Sequence, residues 1–411
     1  MRTSASILQP LHPVPFGVSL SHLERGPGPT DSLSLGAGGS FRMACASQQS
    51  YEVSLIDGLL LPSTSALADA IGERKAILVT TPNVDRLYGA AMRALLEKTN
   101  TLATVVLPAR EDTKSLELVK TVCREALFHG LNRRGLLIGF GGGVCLDVVT
   151  LSASLIRRGI GHVRIPTTLI GQIDAGVGLK GAVNFAGKKS FVGCFHPPHG
   201  VLVDPIFLRT LPRRFLSSGI AEAVKMGIAR DVQLFEALER WAPQLVTSAF
   251  AAPEAEGRDV LRRSIWAMLD ELRKNPREDR GYERIVDFGH TFSPALEAAL
   301  GFDIHHGEAV AVDIALSTAI AFFLEMIDRT VLERILLALR SAGLPVFSDR
   351  LDLALCLEAL KEARRHRGGR INLVVPTGIG RTAFLRRSRD IPKSVLAESL
   401  TLLSSSALAA S

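Results

Sequence analysis

The sequence predicts an α/β N-terminal domain on a mostly parallel sheet, joined to a mainly α-helical C-terminal domain. Three observations carry this expectation. From about Tyr51 to Thr210, apolar strand-like runs alternate with segments of helical periodicity. After Pro212 the strand signal fades and apolar residues recur at helical spacing. In the first half a short apolar run, Gly135 to Phe140, ends in the glycines Gly141 to Gly143 and opens a helix. Without Cβ atoms such a turn lets backbone N–H groups and a helix N-terminus face an anionic pyrophosphate.

In chain order, residues 1–50 are rich in Ser, Gly, Pro and Leu, hold only the acids Glu24 and Asp31, and show no periodicity. They are expected to be disordered, and their Ser-rich, acid-poor composition also fits an organelle transit peptide. Ala76 to Thr81 reads as a buried strand, Val84 to Lys98 as a helix, Thr101 to Leu107 as a strand and Ser115 to His129 as a helix. The helix after the glycine turn ends in Arg157-Arg158-Gly159, and the strand His162 to Pro166 leads into Thr167-Thr168. Glu222 and Lys225 share one face of a further helix. Helical spacing then marks Gln233 to Leu245, Asp259 to Leu272, Ser293 to Leu300, Glu308 to Met326 and Thr330 to Ala342, before a short strand at Arg370 to Pro376. The domains expected are residues 51–210 and 211–390, with 391–411 as a tail, and the site belongs in the cleft between the two halves.

Composition narrows the function. The chain has 411 residues, 47% of them hydrophobic and 22% charged, as in an ordinary globular enzyme. Its net charge of +7 is spread among nearly as many acids, with no basic stripe interleaved with aromatics. That pattern speaks for a phosphorylated small molecule and against nucleic acid. Five widely spaced cysteines suggest reduced thiols in an intracellular, cytoplasmic setting unless the first fifty residues direct import. The most apolar helix candidate, Ala309 to Met326, is interrupted by Asp313 and Glu325, so no membrane partner is expected.

Two stretches in the helical half suggest a metal: Asp287-Phe-Gly-His290-Thr-Phe-Ser-Pro294 and His305-His306-Gly-Glu308. They flank one helix, and Glu222 stands on another. One Glu and two His with an open position suit Zn²⁺ and polarisation of a substrate hydroxyl, although the ligand set also admits Fe²⁺ or Co²⁺.

The ordered motifs GGGVCLD, RRG, PTT, IDAGVGLK, GKKS, AEAVK, DFGHTFSP and HHGE resemble the 3-dehydroquinate synthase superfamily, the sugar phosphate cyclases, over about residues 76 to 385. The resemblance implies a Rossmann-like dinucleotide-binding domain, a helical metal-binding domain and a homodimer. It implies Glu222, His290 and His306 as metal ligands. For NAD it implies Thr81, Asn83, Glu111, Lys114, Gly142, Gly143, Asp147, Thr167, Thr168, Lys189 and the turn from Phe207 to Thr210. For substrate and its phosphate it implies Asp174, Lys180, Lys225 and, across the dimer, Arg158.

Departures from the dehydroquinate synthase pattern refine the expectation. Asp287 replaces an Asn, Pro294 a His and Ser190 an Asn, while His366-Arg-Gly-Gly replaces a Lys-rich turn. These exchanges resemble the sedoheptulose 7-phosphate cyclases, and Asp287 with His366 resembles the 2-epi-5-epi-valiolone synthases among them. The implied reaction is transient oxidation by NAD, phosphate elimination, re-reduction and intramolecular aldol closure. Related cyclases forming 2-epi-valiolone, desmethyl-4-deoxygadusol or 3-dehydroquinate, and a metal-dependent polyol dehydrogenase, are the alternatives. Arg284 is displaced from the usual Arg placement and receives no role.

Overall fold

The structure, a computed structural model, describes residues 32–35, 41–44, 49–108, 110–281, 283–301 and 303–408. Within the first fifty residues, β1 (Ser32–Leu35) pairs antiparallel with β2 (Phe41–Ala44). The expectation of a wholly disordered segment is corrected there, and apart from residues 49–50 its remainder lies outside the described residues.

From Tyr51 onward the chain forms one compact unit. It begins with β3 (Glu52–Leu55), α1 (Ala66–Ile71), β4 (Ala76–Thr80), α2 (Pro82–Leu96), β5 (Thr101–Val106), α3 (Leu116–Phe128), β6 (Leu136–Gly141), α4 (Gly143–Leu155) and β7 (Gly161–Pro166). An antiparallel hairpin, β8 (Lys180–Phe185) with β9 (Lys188–Phe195), precedes β10 (Gly200–Val203). Six of these strands form a parallel sheet in the order β3-β10-β7-β6-β4-β5. Every residue of β4 and β6 is buried, because helices cover both faces of a parallel sheet and leave no side for polar residues. From β4 the chain crosses outward to β5, and from β6 it crosses the other way to β7. Their carboxyl ends therefore form the switch point at which such sheets bind ligands.

The second half comprises α5 (Arg213–Ala229), α6 (Val232–Thr247), α7 (Glu254–Leu272), α8 (Ser293–Ala299), α9 (His306–Phe323), α10 (Arg329–Ser341) and α11 (Leu353–His366). An antiparallel pair, β11 (Leu373–Gly378) with β12 (Arg381–Leu385), and α12 (Lys393–Leu408) follow. The fold is thus a parallel-sheet α/β N-terminal domain with a helical C-terminal domain. By length and composition α9 could cross a membrane, yet it is 78% buried and packs on α5, α8, α10, α12 and β11. It is the central core helix. The expected tail is corrected as well, because α12 buries Leu396, Ser399 and Leu403 along one helical face.

Candidate metal centre and active-site cleft

Three helical elements converge on one point. Glu222 lies on the buried stretch of α5, His290 in the turn before α8, and His306 opens α9. One ligand atom from each lies within 4.8 Å of the others. Glu222 Oε1 stands 3.3 Å from His306 Nε2 and 3.6 Å from His290 Nε2. The other ring nitrogens are already committed. His290 Nδ1 lies 3.1 Å from the Phe288 carbonyl, and His306 Nδ1 lies 2.8 Å from Glu297 Oε1. Both partners only accept, so each Nδ1 donates and Nε2 is the ring nitrogen left to face a cation. Glu222 is buried, with Oε2 against the Lys225 ammonium and Oε1 turned to the two histidines. A buried carboxylate facing the Nε2 atoms of two imidazoles fits a divalent metal ion.

Position of the histidine motif is set from below. Asp313, fully buried on α9, accepts from the backbone N–H groups of Thr291 (2.7 Å), Phe292 (2.5 Å) and Ser293 (2.9 Å) and from Ser317 Oγ (3.0 Å). It satisfies donors that the start of α8 would otherwise leave open, and so locks the chain beside His290.

Charges in the cluster are strongly coupled. The Lys225 ammonium is buried against Glu222 and lies 3.3 Å from Asp174 Oδ2. Burial opposes its charge, but Glu222 and Asp174 outweigh burial and hold its pKa above the usual lysine range. Burial pushes the Asp174 carboxyl up, with Lys225 opposing. Glu222 is held well below the usual carboxylate range despite burial, by Lys225 and the two histidines. Burial and Lys225 lower His290 to about 4. For His306, burial is overcome by Glu222 and Glu297, which raise it to about 9.

On the sheet side, Thr81 precedes α2, Asn83 lies in its first turn, and Gly142 caps α4 ahead of Gly143. A Cβ on Gly142 would approach Thr168 Cγ2 to 3.0 Å, so any larger residue here would press on the Thr168 side chain. The Thr167 N–H donates to the Gly141 carbonyl at 3.0 Å, and Thr168 Oγ1 accepts from the Gly171 N–H at 3.1 Å. Lys114 is buried on Asp147, 2.5 Å away, and Glu111 accepts from Asn184 Nδ2. Thr210 Oγ1 meets the Tyr88 hydroxyl at 2.8 Å. The Phe207 ring itself is core, edge-on to Tyr88 and Phe140, so the turn can offer a ligand its backbone but not that ring.

The remaining residues named from the sequence divide. Lys180 reaches Glu278 at 2.5 Å, and Glu278 also contacts Arg284. Arg284 in turn donates to Asp287 Oδ1 at 2.6 Å, with Arg367 3.7 Å from the other oxygen. Lys189, which the resemblance assigns to NAD, lies 2.6 Å from Glu297 Oε2. His366 is not brought to the cluster. It is exposed, with Nε2 2.9 Å from Glu362 one helical turn back, whereas Arg367 turns inward to the carbonyls of His290, Ile371 and Asn372. Arg158 is exposed, with positive φ and no hydrogen-bond or ion-pair partner among the described residues. The cysteines behave as small apolar residues: Cys145 and Cys356 are buried, Cys123 and Cys194 are half-buried, and these four are free.

Residues given no role from the sequence surround these groups: Glu297, Glu278, Arg284, Arg367 and Arg164. Arg164 is fully buried on β7 and donates to the carbonyls of Gly176 (3.2 Å), Gly178 (2.6 Å) and Lys180 (3.0 Å). It thereby fixes the segment that joins Asp174 to Lys180. The available signal for Glu297 was a single acid among the small and apolar residues of α8.

A parallel sheet with a glycine turn at its switch point, facing a Glu-His-His cluster, defines a metal-dependent, dinucleotide-binding class of enzyme. Residues 104–218 match the 3-dehydroquinate synthase N-terminal family and residues 219–366 its C-terminal counterpart, and the chain belongs to the 3-dehydroquinate synthase family. It is 40% identical to the 2-epi-5-epi-valiolone synthase of Streptomyces glaucescens, covering 89% of this chain and 94% of that protein. Identity to the 3-dehydroquinate synthase of a Sulfurovum species is 33%, over 80% and 91% of the two chains. Among solved structures it is similar to ValA, the 2-epi-5-epi-valiolone synthase of Streptomyces hygroscopicus subsp. jinggangensis 5008, with NAD⁺ and Zn²⁺ bound. That match has a TM-score of 0.83 and 36% identity, covering 89% of this chain and 99% of that one.

Proposed function

We propose that this protein is a sedoheptulose 7-phosphate cyclase forming 2-epi-5-epi-valiolone with release of phosphate, a phosphorus–oxygen lyase. The observation that carries the reading is its greater likeness to 2-epi-5-epi-valiolone synthases than to 3-dehydroquinate synthases, over nearly their whole length. Asp287 and Pro294 in the histidine motif agree with it.

Glu222, His290 and His306 would hold Zn²⁺, with Co²⁺ or Fe²⁺ as alternatives, and such an ion supplies Lewis-acid polarisation of a substrate hydroxyl and carbonyl. NAD, received at the carboxyl ends of β4 and β6, supplies a reversible hydride acceptor and is regenerated each cycle. The chain's own groups orient the sugar. Lys225, wedged between Glu222 and Asp174, presents a fixed ammonium beside the metal site. Lys180 and Arg158 of the partner subunit would grip the phosphate by charge-assisted bonds. An Arg158 that is exposed and has no ion-pair partner among the described residues supports that homodimer. Arg284 holds Asp287 in place to accept a sugar hydroxyl. Pro294 offers no proton acceptor, which agrees with an elimination in which the departing phosphate's own oxygen takes the proton next to the transient ketone.

Incubation with sedoheptulose 7-phosphate, NAD⁺ and Zn²⁺ should release one phosphate per carbocycle formed and leave no net NADH. Sustained NADH accumulation would instead show a polyol dehydrogenase. The outward position of His366 favours one second reading, a sibling cyclase making 2-epi-valiolone or desmethyl-4-deoxygadusol, because Asp287 alone of the two stands in the cleft. Product identification by NMR separates these.

A further inference from the structure

We infer that Glu297 and Lys189 form a positioning relay that fixes the metal ligand His306 and ties cation binding to the seating of the β8–β9 hairpin. The inference rests on the cation reading above. Glu297 is a carboxylate on α8, 6% exposed, and its two oxygens serve opposite directions. Oε1 accepts from His306 Nδ1 at 2.8 Å, and Oε2 accepts from Lys189 Nζ at 2.6 Å.

The first contact dictates the tautomer. With Nδ1 donating to a carboxylate, the ring can turn only its Nε2 lone pair to a cation, and the carboxylate raises its basicity. The second contact decides what holds the carboxylate. A nearly buried carboxylate needs a full positive charge beside it. Once His306 serves as a neutral ligand, Lys189 supplies the only full positive charge in contact with Glu297 among the described residues. Lys189 belongs to neither metal-bearing helix. It sits at the start of β9, in a hairpin whose second strand is largely exposed. The hairpin is pinned to the helical half at a second point, where Lys180 meets Glu278 at 2.5 Å. A cation that steadies His306 therefore steadies Glu297 and, through Lys189, the turn of the hairpin. By linkage, a seated hairpin favours cation binding equally.

The test uses NAD-free protein, so that any contact of Lys189 with the nucleotide is silent. Zn²⁺ affinity is measured by chelator competition, and amide hydrogen exchange of residues 180–195 is followed with and without Zn²⁺. Glu297→Gln should weaken Zn²⁺ binding about 10- to 100-fold. Lys189→Met should cause a smaller loss and abolish the Zn²⁺-dependent protection of the hairpin. Lys188→Met, exposed on the same strand, should match the wild type in both. If Glu297→Gln does not fold, the Lys189 and Lys188 variants decide alone. Unchanged affinity and protection in Lys189→Met would overturn the relay. A wild-type protein that binds no Zn²⁺ would instead overturn the cation reading itself.

Discussion

Lys225 offers the sharpest test of the cluster. Its ammonium is 2% exposed, touches Glu222 and lies 3.3 Å from Asp174. At an effective dielectric constant near 20, the Asp174 attraction alone is about 5 kcal/mol before the cost of burying the charge is subtracted. Lys225→Met removes the cation and leaves two carboxylates facing each other. Breaking a buried pair in this way costs about 3–5 kcal/mol, a large part of a total stability of about 5–15 kcal/mol. The bound divalent ion would restore positive charge to Glu222, so the metal-free variant should suffer most. Urea unfolding in EDTA should show the full loss, and Zn²⁺ should stabilise the variant more than the wild type. Zn²⁺ at 100 times its Kd contributes about 2.7 kcal/mol to a protein that binds it only when folded. An EDTA-treated variant within about 1 kcal/mol of the wild type would refute the reasoning, since a contact of that size belongs to a solvated surface pair.

Three further outcomes follow from other residues. Asp287→Asn should keep Zn²⁺ bound yet lower turnover at least tenfold, measured as phosphate release, because the Arg284 clamp and the acceptor for a sugar hydroxyl are both weakened. Arg164→Lys leaves carbonyls among Gly176, Gly178 and Lys180 without donors, at about 1–3 kcal/mol for each one left unsatisfied; chemical denaturation measures the loss, and hydrogen exchange should locate it at residues 175–180. His162 is fully buried and its pKa is held well below the usual value, first by burial and then by Arg164. Between that depressed pKa and about 6.5 the unfolded chain takes a proton that the folded chain refuses, so this residue makes stability fall as pH drops below about 6.5, by up to about 1.4 kcal/mol per pH unit. His162→Asn should remove one proton's worth of that slope in urea melts at two pH values, and an unchanged slope would contradict it.

The fold was legible where burial imposes a period. β4 to β7 and the helices between them stand where apolar runs and helical spacing place them, within a few residues. The elements that escaped detection do not advertise a buried face. β9 reads Lys-Lys-Ser-Phe-Val-Gly-Cys-Phe and is mostly exposed, so it shows no clean alternation of apolar and polar residues. β3 and β10 have four residues each and become strands only by adding to a sheet that other segments have built. α12 was hidden by its serines. Ser399 is nonetheless buried, donating to the Val395 carbonyl one turn back, so a hydroxyl that suggested a solvated tail is satisfied within the helix itself.

The cleft divides along the same physical line. Glu222, His290 and the His305-His306 pair were recoverable because a metal's requirement for donor type leaves a mark in the motifs themselves, and the family resemblance singled out His306. Roles that depend on direction were not recoverable. His366 and Arg367 are adjacent at the end of α11, and about 100° of helical rotation per residue separates a side chain paired with solvent-exposed Glu362 from one that reaches the His290 carbonyl. Lys189 looks like a ligand lysine in any sequence, and its ion pair with Glu297, more than a hundred residues away along the chain, is invisible there. Charged groups of the cleft are thus chosen by composition but assigned by long-range ion pairing: Lys180 with Glu278, Lys189 with Glu297 and Lys225 with Glu222 each join a lysine to an acid of the helical half. An anion that binds any of these lysines must therefore exchange places with a carboxylate already paired to it.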